Sequence, residues 1–243
     1  MIILNVRYDN LTREEGVDRI VGFLKVGKKA NVFFLNADCL YKTKSDKIYA
    51  DILDKADLVL PDGIGVQLTT RLFGGEMKAN CIGTDFCPIL MEKLAKEGYK
   101  VFFLGGAYGV AEKAAKNILK KIPGLKIVGT HNGYFKEDEE VVEKINNSGA
   151  DAVFVARGVP LQEKWIYKNR EHINAGVCLG VGALLDLLSG RVKRAPLWMR
   201  KIHLEWLGRL IIEPGRLFKR YMIDGFFFVV YVFVFWLKNH KKS

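Results

Sequence analysis

The sequence lacks the short patterns that mark several classes of enzyme. It has no H-E-x-x-H, no G-x-x-x-x-G-K-[ST], no D-x-D and no strict G-x-G-x-x-G. The missing G-x-x-x-x-G-K-[ST] argues against a P-loop ATPase, and the missing G-x-G-x-x-G removes the usual dinucleotide fingerprint. The four histidines are far apart in the chain, which argues against a compact metal site. We therefore expect chemistry that needs no bound metal.

Cysteine is scarce and scattered. The chain has four, Cys39, Cys81, Cys87 and Cys178, and none of them belongs to a C-x-x-C pair. We expect reduced thiols in the core of a cytosolic protein rather than a disulfide framework. The N-terminus has no basic segment followed by a long apolar one, so we expect no signal peptide.

The sequence also lacks an apolar run long enough to cross a bilayer. Phe226–Leu237, FFFVVYVFVFWL, has twelve apolar residues in succession, whereas a spanning helix needs ~20. The composition is otherwise that of a globular protein, with 49% hydrophobic and 27% charged residues. The 243 residues suffice for one α/β domain and an appendage.

Positive charge is concentrated in the last quarter of the chain. The net charge is +11, and residues 191–243 hold twelve Lys/Arg against three Asp/Glu, a balance of +9. Residues 1–190 are nearly neutral at +2. The sequence therefore predicts two parts, a domain over 1–190 and a basic appendage over 191–243 that meets an anionic partner.

Short apolar runs rich in β-branched and aromatic residues alternate with helical patterns. The predicted strands are Ile2–Val6, Val32–Leu35, Leu58–Leu60, Val101–Leu104, Ile127–Gly129, Ala152–Ala156 and Val177–Gly180. The predicted helices are Arg13–Lys25, Ser45–Asp54, Ile64–Phe73, Asp85–Glu97, Val110–Lys121, Glu137–Asn147, Leu161–His172 and Ala183–Leu188. This alternation predicts a Rossmann-like α/β domain, a mostly parallel sheet with helices on both faces.

Polar residues and glycines follow six of the predicted strands. In an open α/β sheet, ligands bind at the carboxyl ends of the strands. The candidates there are Asn36, Asp38, Asp62, Gly105, Gly106, Tyr134, Arg157, Gln162 and Asp186. Gly105 and Gly106 begin a G-G-x-x-G turn before a helix, where backbone N–H groups could cradle a phosphate.

Asp62 is the best candidate for a general base. It ends a buried strand beside Gly63, from where a carboxylate can reach a bound substrate. The alternative is that Asp62 only caps the helix that starts at Ile64. Asp85 has the same ambiguity, and for it we favour the capping role.

The basic appendage combines cations with large apolar side chains. Residues 197–212 read as a helix in which Arg200 and Arg209 interleave with aliphatics and tryptophans, and Pro214 ends it. With the apolar run 226–237 this predicts attachment to an anionic membrane surface rather than to nucleic acid. A hidden core helix or a homo-oligomer interface is the alternative.

Seven collinear motifs, which extend to about Tyr221, resemble the WecG/TagA/CpsF glycosyltransferases. They are FLNAD (34–38), ADLVLPDGIGV (56–66), GTD (83–85), FLGG (103–106), GVPLQEKWI (158–166), GVGALLDLLSGRVKRAP (180–196) and LEWLGRLIIEPGR (204–216). One departure is Phe34, where many members have Thr.

The resemblance implies transfer of a sugar from a UDP donor to a polyprenyl-diphosphate-linked sugar, with inversion. The TagA branch adds N-acetylmannosamine in a β-1,4 linkage to undecaprenyl-diphosphate-linked N-acetylglucosamine, in the linkage unit of wall teichoic acid. The WecG branch uses a mannosaminuronic acid donor, and other members build capsule or exopolysaccharide. We expect a peripheral protein at the cytoplasmic face of the cell membrane, and the missing D-x-D favours a reaction without a metal or another cofactor.

The resemblance also implies residue roles. Asp62 matches the proposed general base, and Asn36 matches a polar residue near the sugar. Arg209 and Arg216 match appendage arginines that reach the donor diphosphate. The other implied donor-contacting positions are Gly105, Gly106, Tyr134, Gln162 and Asp186, and Lys219 or Arg220 lies near a third appendage arginine. Arg157 is a second departure, since a small or apolar residue is more usual there, and it could add a diphosphate contact or pair with a local carboxylate.

Two other functions fit part of the sequence. A nicotinamide-dependent oxidoreductase would use the glycines at Gly105, but the strict fingerprint is missing. A non-catalytic membrane-surface adaptor would explain residues 191–243 but not the polar edge of the sheet.

Overall fold

The fold is built around one parallel β-sheet. The structure is a computed structural model that describes residues 1–201, 204–212 and 214–240. The strands are β1 (Ile2–Ile3), β2 (Val6–Arg7), β3 (Ala30–Leu35), β4 (Leu58–Pro61), β5 (Lys100–Gly105), β6 (Lys126–His131), β7 (Ala152–Ala156) and β8 (Val177–Gly180). Strands β3 to β8 form the sheet in the order β4-β3-β8-β7-β5-β6, with every pair parallel.

Helices connect the strands and cover both faces of the sheet. In the domain they are α1 (Arg13–Lys25), α2 (Ala37–Thr43), α3 (Lys47–Asp54), α4 (Ile64–Leu72), α5 (Gly83–Lys96), α6 (Val110–Leu119), α7 (Asp138–Ser148), α8 (Leu161–Asn169) and α9 (Leu184–Leu188), with a 3-10 turn at Arg170–His172. The predicted α/β class is therefore confirmed.

Two apolar cores lie on opposite faces of the sheet. Neighbouring residues of β3 divide between them, Phe34 facing one core and Phe33 the other, because side chains alternate along a strand. Helices α1, α5 and α6 cover the first core, and α3, α7 and α8 cover the second. All four cysteines are free and buried, as the sequence analysis expected of core thiols.

The predicted first strand, Ile2–Val6, is wrong. The chain forms two strands of two residues that pair antiparallel as a separate ribbon, Ile2 opposite Arg7 and Ile3 opposite Val6. Leu4 and Asn5 turn the chain with φ of 49° and 63°. A left-handed turn in mid-segment cannot be part of one extended strand.

Helix α2 was not predicted from the sequence. It begins immediately after β3, and its N-cap is Asn36, whose Oδ1 accepts a hydrogen bond from the Cys39 backbone N–H at 3.1 Å. The predicted helix Ser45–Asp54 is shorter in the structure, since Asp46 caps α3 by accepting from the Tyr49 N–H.

The appendage is helical, but not as predicted. The described helices are α10 (Leu197–Lys201), α11 (Glu205–Ile212), α12 (Pro214–Phe218) and α13 (Gly225–His240), with a π-helical turn at Lys219–Asp224. The predicted single helix over 197–212 is therefore divided. Gly208 allows α11 to approach closely, because a Cβ there would lie 2.5 Å from the Ala195 Cβ.

The apolar run forms the long helix α13, and its residues Phe228 and Val232 are buried against the second core. Within the part of the chain that the structure describes, no helix combines the length and the apolarity needed to cross a bilayer. The structure describes the backbone of Lys201, Arg209, Arg216 and Arg220 but not their side chains. The basic face of the appendage therefore stays a prediction.

Candidate active site

A cavity of about 1490 Å³ lies at the carboxyl ends of the sheet strands, where the sequence analysis expected the ligand. Eight of the predicted site residues line it: Asn36, Asp38, Asp62, Gly106, Tyr134, Arg157, Gln162 and Asp186. Gly105 and Lys219 are not among the described lining residues. The structure does not describe the side chains of Arg209, Arg216 and Arg220.

Asp62 stands where β4 ends, and the sheet holds its backbone. Its N–H donates to the Leu35 carbonyl at 2.8 Å, and its Oδ2 lies 3.5 Å from the Gly83 N–H in the first turn of α5. The alternative role as a cap of α4 is wrong. Gly63, and not Asp62, is the N-cap of α4, and the Gly63 N–H donates to Asn80 Oδ1 at 2.8 Å.

The charge of Asp62 acts on two thiols behind the cavity. Burial raises the pKa of Cys81 to about 11, and the Asp62 charge adds to this effect while Arg13 opposes it. Burial and the Asp62 charge also raise the pKa of Cys87. Both thiols therefore stay protonated at neutral pH, which leaves the Asp62 carboxylate as the nearby candidate base.

The Asn36 side chain has a structural contact as well as a place in the cavity wall. Its oxygen accepts from the Cys39 N–H, so its amide nitrogen is the group that it can offer to a substrate. Phe34 lines the same cavity and packs edge-on against Phe86, with ring centroids 5.6 Å apart.

The glycine turn after β5 is shaped by the neighbouring strand. Gly105 has φ of 136°, and a Cβ there would lie 2.3 Å from the Ala156 carbonyl oxygen. The Gly106 N–H donates to that same oxygen at 3.1 Å, and the Gly106 carbonyl accepts from Gly133 at 2.8 Å. Gly105 therefore supports the cavity floor, and Gly106 lines it.

Gln162 is fixed by hydrogen bonds to its neighbours. Its Oε1 accepts from the Gly182 N–H at 2.9 Å, and its Nε2 donates to Glu163 Oε1 at 2.8 Å. Glu163 is fully buried, and burial raises the pKa of its carboxyl to about 7, although the Gln162 hydrogen bond acts against this. Both polar atoms of Gln162 thus have protein partners, which favours a role in shaping the cavity.

Tyr134, Arg157 and Asp186 also line the cavity. Tyr134 is 75% exposed, and its backbone N–H donates to Asn132 Oδ1. The Arg157 guanidinium stacks 4.2 Å from the Phe135 ring centroid. Burial lowers the pKa of Arg157, and the charge of Asp138 opposes that shift.

Two carboxylates of the wall have cationic partners. Asp186 Oδ1 lies 3.6 Å from Arg191 Nη1, and Asp38 forms an i,i+4 ion pair with Lys42. Of Asp38, Asp62 and Asp186, only Asp62 directly follows the last residue of a sheet strand.

Asp85 does not cap α5. Its carboxylate accepts from Arg194 Nη1 at 2.5 Å and from Nη2 at 3.2 Å, and the same guanidinium donates to Glu205 at 2.9 and 3.0 Å. Burial opposes ionisation of Asp85, but Arg194 outweighs it and lowers the pKa of that carboxyl. The capping role favoured from the sequence is therefore wrong, since the N-cap of α5 is Ile82.

Sequence reasoning missed several residues of the cavity wall. Arg191, Arg200 and Trp206 line it from the appendage, and Leu68 lines it from α4. The basic pattern of 191–243 was a signal for the two arginines, but it did not show which cations would face the cavity. Among the described residues no group of three or more His, Cys, Asp or Glu side chains could hold a metal ion.

Comparisons with known proteins agree with the resemblance that the sequence motifs carry. A family model described as the Glycosyl transferase WecG/TagA/CpsF family matches residues 1–242. A relative from Bacillus spizizenii is 36% identical over 194 residues, 80% of this chain and 76% of its own. Relatives from Bacillus subtilis and Staphylococcus aureus are 34% and 30% identical, covering 79% and 88% of this chain and 74% and 85% of their own. All three are named N-acetylglucosaminyldiphosphoundecaprenol N-acetyl-beta-D-mannosaminyltransferase.

Proposed function

The chain belongs to the WecG/TagA/CpsF family of glycosyl transferases, and from this premise we propose which sugar it transfers and to what. The donor is UDP-N-acetylmannosamine, and the acceptor is N-acetylglucosamine linked to a polyprenyl diphosphate. The product is the β-1,4-linked disaccharide lipid of the wall teichoic acid linkage unit. The names of three relatives, which state this acceptor and this sugar, support the choice.

The position of Asp62 is the observation that carries the mechanism. Its carboxylate lies at the end of β4 in the wall of a cavity large enough for two sugars and a nucleotide. Asp62 takes the proton of the acceptor hydroxyl while the hydroxyl oxygen attacks the anomeric carbon from the face opposite UDP. The bond from that carbon to the UDP oxygen breaks, so the configuration inverts.

The leaving UDP carries negative charge that cations must balance. Arg209 and Arg216 are the proposed cations. Lys219 or Arg220 lies near the position of a third cation. Guanidinium groups suit a diphosphate because they donate two parallel hydrogen bonds. Arg191 and Arg200, which line the cavity, support an electropositive end to the site. The proposed reaction uses no metal or other cofactor.

The remaining proposed contacts belong to the donor. The turn of Gly105 and Gly106 holds a phosphate against the backbone N–H groups at the start of α6, since the Gly106 N–H itself donates to the Ala156 carbonyl. Tyr134 and Arg157 line the same cavity. Asn36 donates to the transferred sugar. Gln162 and Asp186 hold the wall against which the nucleotide lies.

We further propose that residues 1–190 form the donor-binding domain and that 191–243 hold the protein on an anionic membrane surface. The acceptor's lipid requires this, because the sugar to be modified is anchored in a bilayer. The site then works at the cytoplasmic face of the membrane, with the protein peripheral. A homo-oligomer is a second way to cover the apolar appendage.

The donor is tested by product analysis with the full-length chain in liposomes. The liposomes contain undecaprenyl-diphosphate-linked N-acetylglucosamine, and separate reactions receive UDP-N-acetylmannosamine, UDP-N-acetylmannosaminuronic acid or a UDP-hexose. We expect mass spectrometry to find the lipid heavier by one N-acetylhexosamine with the first donor. If product forms only with one of the other two donors, the chain belongs to another branch of the family.

A further inference from the structure

Helix α13 is apolar on every side, and the structure sorts its side chains into three faces. Phe228, Tyr231, Val232 and Phe235 pack against the second core, where the Phe235 ring meets Phe73 at 5.8 Å between centroids. This core face fixes the helix on the domain. It therefore also fixes the direction in which the other two faces point.

The other two faces differ in what they meet. The cavity face consists of Phe226, Val229 and Phe233, which line the active-site cavity beside the buried Phe228 and Val232. The outer face consists of Phe227, Val230 and Val234, which are not among the described lining residues. Both sets follow i, i+3, i+7 spacing, so each forms one stripe on the helix. The stripes are similarly exposed, with Phe233 at 55% and Phe227 at 50%.

A second apolar wall stands in the same cavity. Leu68 and Leu72 of α4 line it and are 56% and 41% exposed, which is high for leucines at helical positions. The polar residues Asn36 and Asp62 line the cavity elsewhere. The site therefore has one polar part, at the strand ends, and one apolar part, between α4 and α13.

The apolar part needs a ligand with an apolar part of its own. A cavity of about 1490 Å³ exceeds the ~300–1,000 Å³ of ordinary small-molecule sites. Exposed apolar walls that rim a polar site mark a place where apolar surface becomes buried on binding. The cations of the same cavity, Arg191 and Arg200, suit an anionic group of the same ligand. Arg200 Nε is buried and has no hydrogen-bond partner within the described residues.

We infer that the cavity face of α13, with Leu68 and Leu72, binds the first isoprene units of the acceptor's lipid. This rests on the proposed function and adds to it a site for the chain itself. An isoprenoid diphosphate sugar combines the three kinds of chemistry that the cavity wall would bind: a polar sugar, an anionic linker and an apolar chain. The cavity face extends over about 10 Å from Phe226 to Phe233, at 1.5 Å per residue. That length accommodates the start of the chain and leaves the rest to the membrane.

The test compares acceptors of two lengths that dissolve without vesicles or detergent. N-acetylglucosaminyl diphosphates of a 10-carbon and a 20-carbon isoprenoid are used below their micellar concentrations, with the full-length chain. We expect kcat/KM of the parent to be at least tenfold higher for the 20-carbon acceptor. Val229→Gln/Phe233→Gln should remove most of that preference through KM, whereas Phe227→Gln/Val230→Gln should keep it.

A variant on the opposite wall guards against misfolding of α13. Leu68→Gln is a single change at an exposed position of α4, and it should also reduce the preference for the longer chain. Equal losses in the cavity-face and outer-face variants would show that α13 acts as a membrane or partner surface, and would overturn the inference. A changed oligomeric state confined to the cavity-face variant, measured by sedimentation, would identify a second copy as the occupant instead.

The inference and the proposed function fail in different ways. A parent that transfers to both acceptors with equal kcat/KM retains the proposed function and overturns the lipid site. A parent that transfers to neither, in solution or in liposomes, overturns both. The lipid site is supported if the cavity-face and Leu68 variants lose the preference for the longer chain while the outer-face variant keeps it.

Discussion

The Arg194 guanidinium joins the appendage to the domain, because its Nη1 lies 2.5 Å from Oδ1 of Asp85 in the first turn of α5. The same guanidinium holds Glu205 at the start of α11, with Nε 2.9 Å from Oε1. The turn that carries Asp85 also presents the Gly83 N–H to Asp62. The appendage is thus attached to the same helical turn that contacts the proposed base.

We expect Arg194→Ala to loosen this attachment and to reduce transfer by at least tenfold. Without the cation, Asp85 and Glu205 face each other as like charges, and charge-assisted hydrogen bonds of about 1.5–3 kcal/mol are lost, less the share that solvent screens. Chymotrypsin cleavage within 197–240 should become faster.

The control is Lys78→Ala, which removes the exposed ion pair with Glu15 at 3.1 Å. Such a pair contributes roughly 0–1 kcal/mol, so cleavage and activity should match those of the parent. Equal cleavage rates for the two variants would show that Arg194 does not hold the appendage in place.

Asp62→Asn should reduce kcat by at least a hundredfold and leave UDP binding nearly intact. The amide keeps the size of the carboxyl and an acceptor for the Gly83 N–H, but it cannot take a proton from the acceptor hydroxyl. General bases contribute about 10²–10⁴-fold to rates. Steady-state kinetics and calorimetric titration with UDP separate the two effects, with Asp54→Asn on the exposed side of α3 as the control. Unchanged kcat in Asp62→Asn would remove the base assignment.

Glu163→Gln should flatten the dependence of stability on pH. The folded-state pKa of about 7 lies above the ordinary value of 4.5, so the folded protein holds this proton more tightly than the unfolded chain does. The stability that the proton provides is complete below about pH 4.5 and is lost as pH rises to about 7, a change of about 3 kcal/mol.

The measurement is urea unfolding between pH 4 and 8. The free energy of unfolding of the parent should fall as the pH rises across that window. In Glu163→Gln the fall should be smaller by the contribution of the Glu163 proton. Glu143→Gln, at an exposed position of α7, should follow the parent. Parallel curves for the parent and Glu163→Gln would contradict a protonated carboxyl beside Gln162.

Gly105→Ala should destabilise the protein more than Gly109→Ala does. Both glycines have positive φ, 136° and 75°, but only Gly105 has a neighbour that a Cβ would strike. Left-handed strain costs about 1–2 kcal/mol in each variant. The clash with Ala156 adds about 1–3 kcal/mol to the Gly105 variant alone. Equal urea midpoints for the two variants would show that the turn has room to move.

Local sequence patterns predicted the sheet and its polar edge, because both depend on periodicity and on the residues directly after each strand. The strand order and the place of α13 could not be predicted. A helix that is apolar all round has no preferred face in its sequence, so nothing indicated which side Phe228 would take. Helix α2 was missed because it follows β3 without a linker, and its cap Asn36 was interpreted only as a site residue.

Contacts between distant parts of the chain were the other gap. Arg194 meets Asp85 across 109 residues, and each residue alone fits ordinary roles, a basic turn and a helix start. Gln162 was assigned to the donor from its motif, whereas its hydrogen bonds to Glu163 and Gly182 became visible only in three dimensions. Spacing predicts which face of an element a residue occupies, but not its partner on another element.

The most direct test of the central claim is the release of UDP by the purified full-length chain in liposomes. UDP-N-acetylmannosamine is supplied with and without undecaprenyl-diphosphate-linked N-acetylglucosamine, and each reaction is repeated in EDTA. The account predicts UDP release that requires the acceptor and persists in EDTA. UDP release that is equal with and without the acceptor would contradict transfer to that acceptor. UDP release that EDTA abolishes would contradict a reaction without a metal.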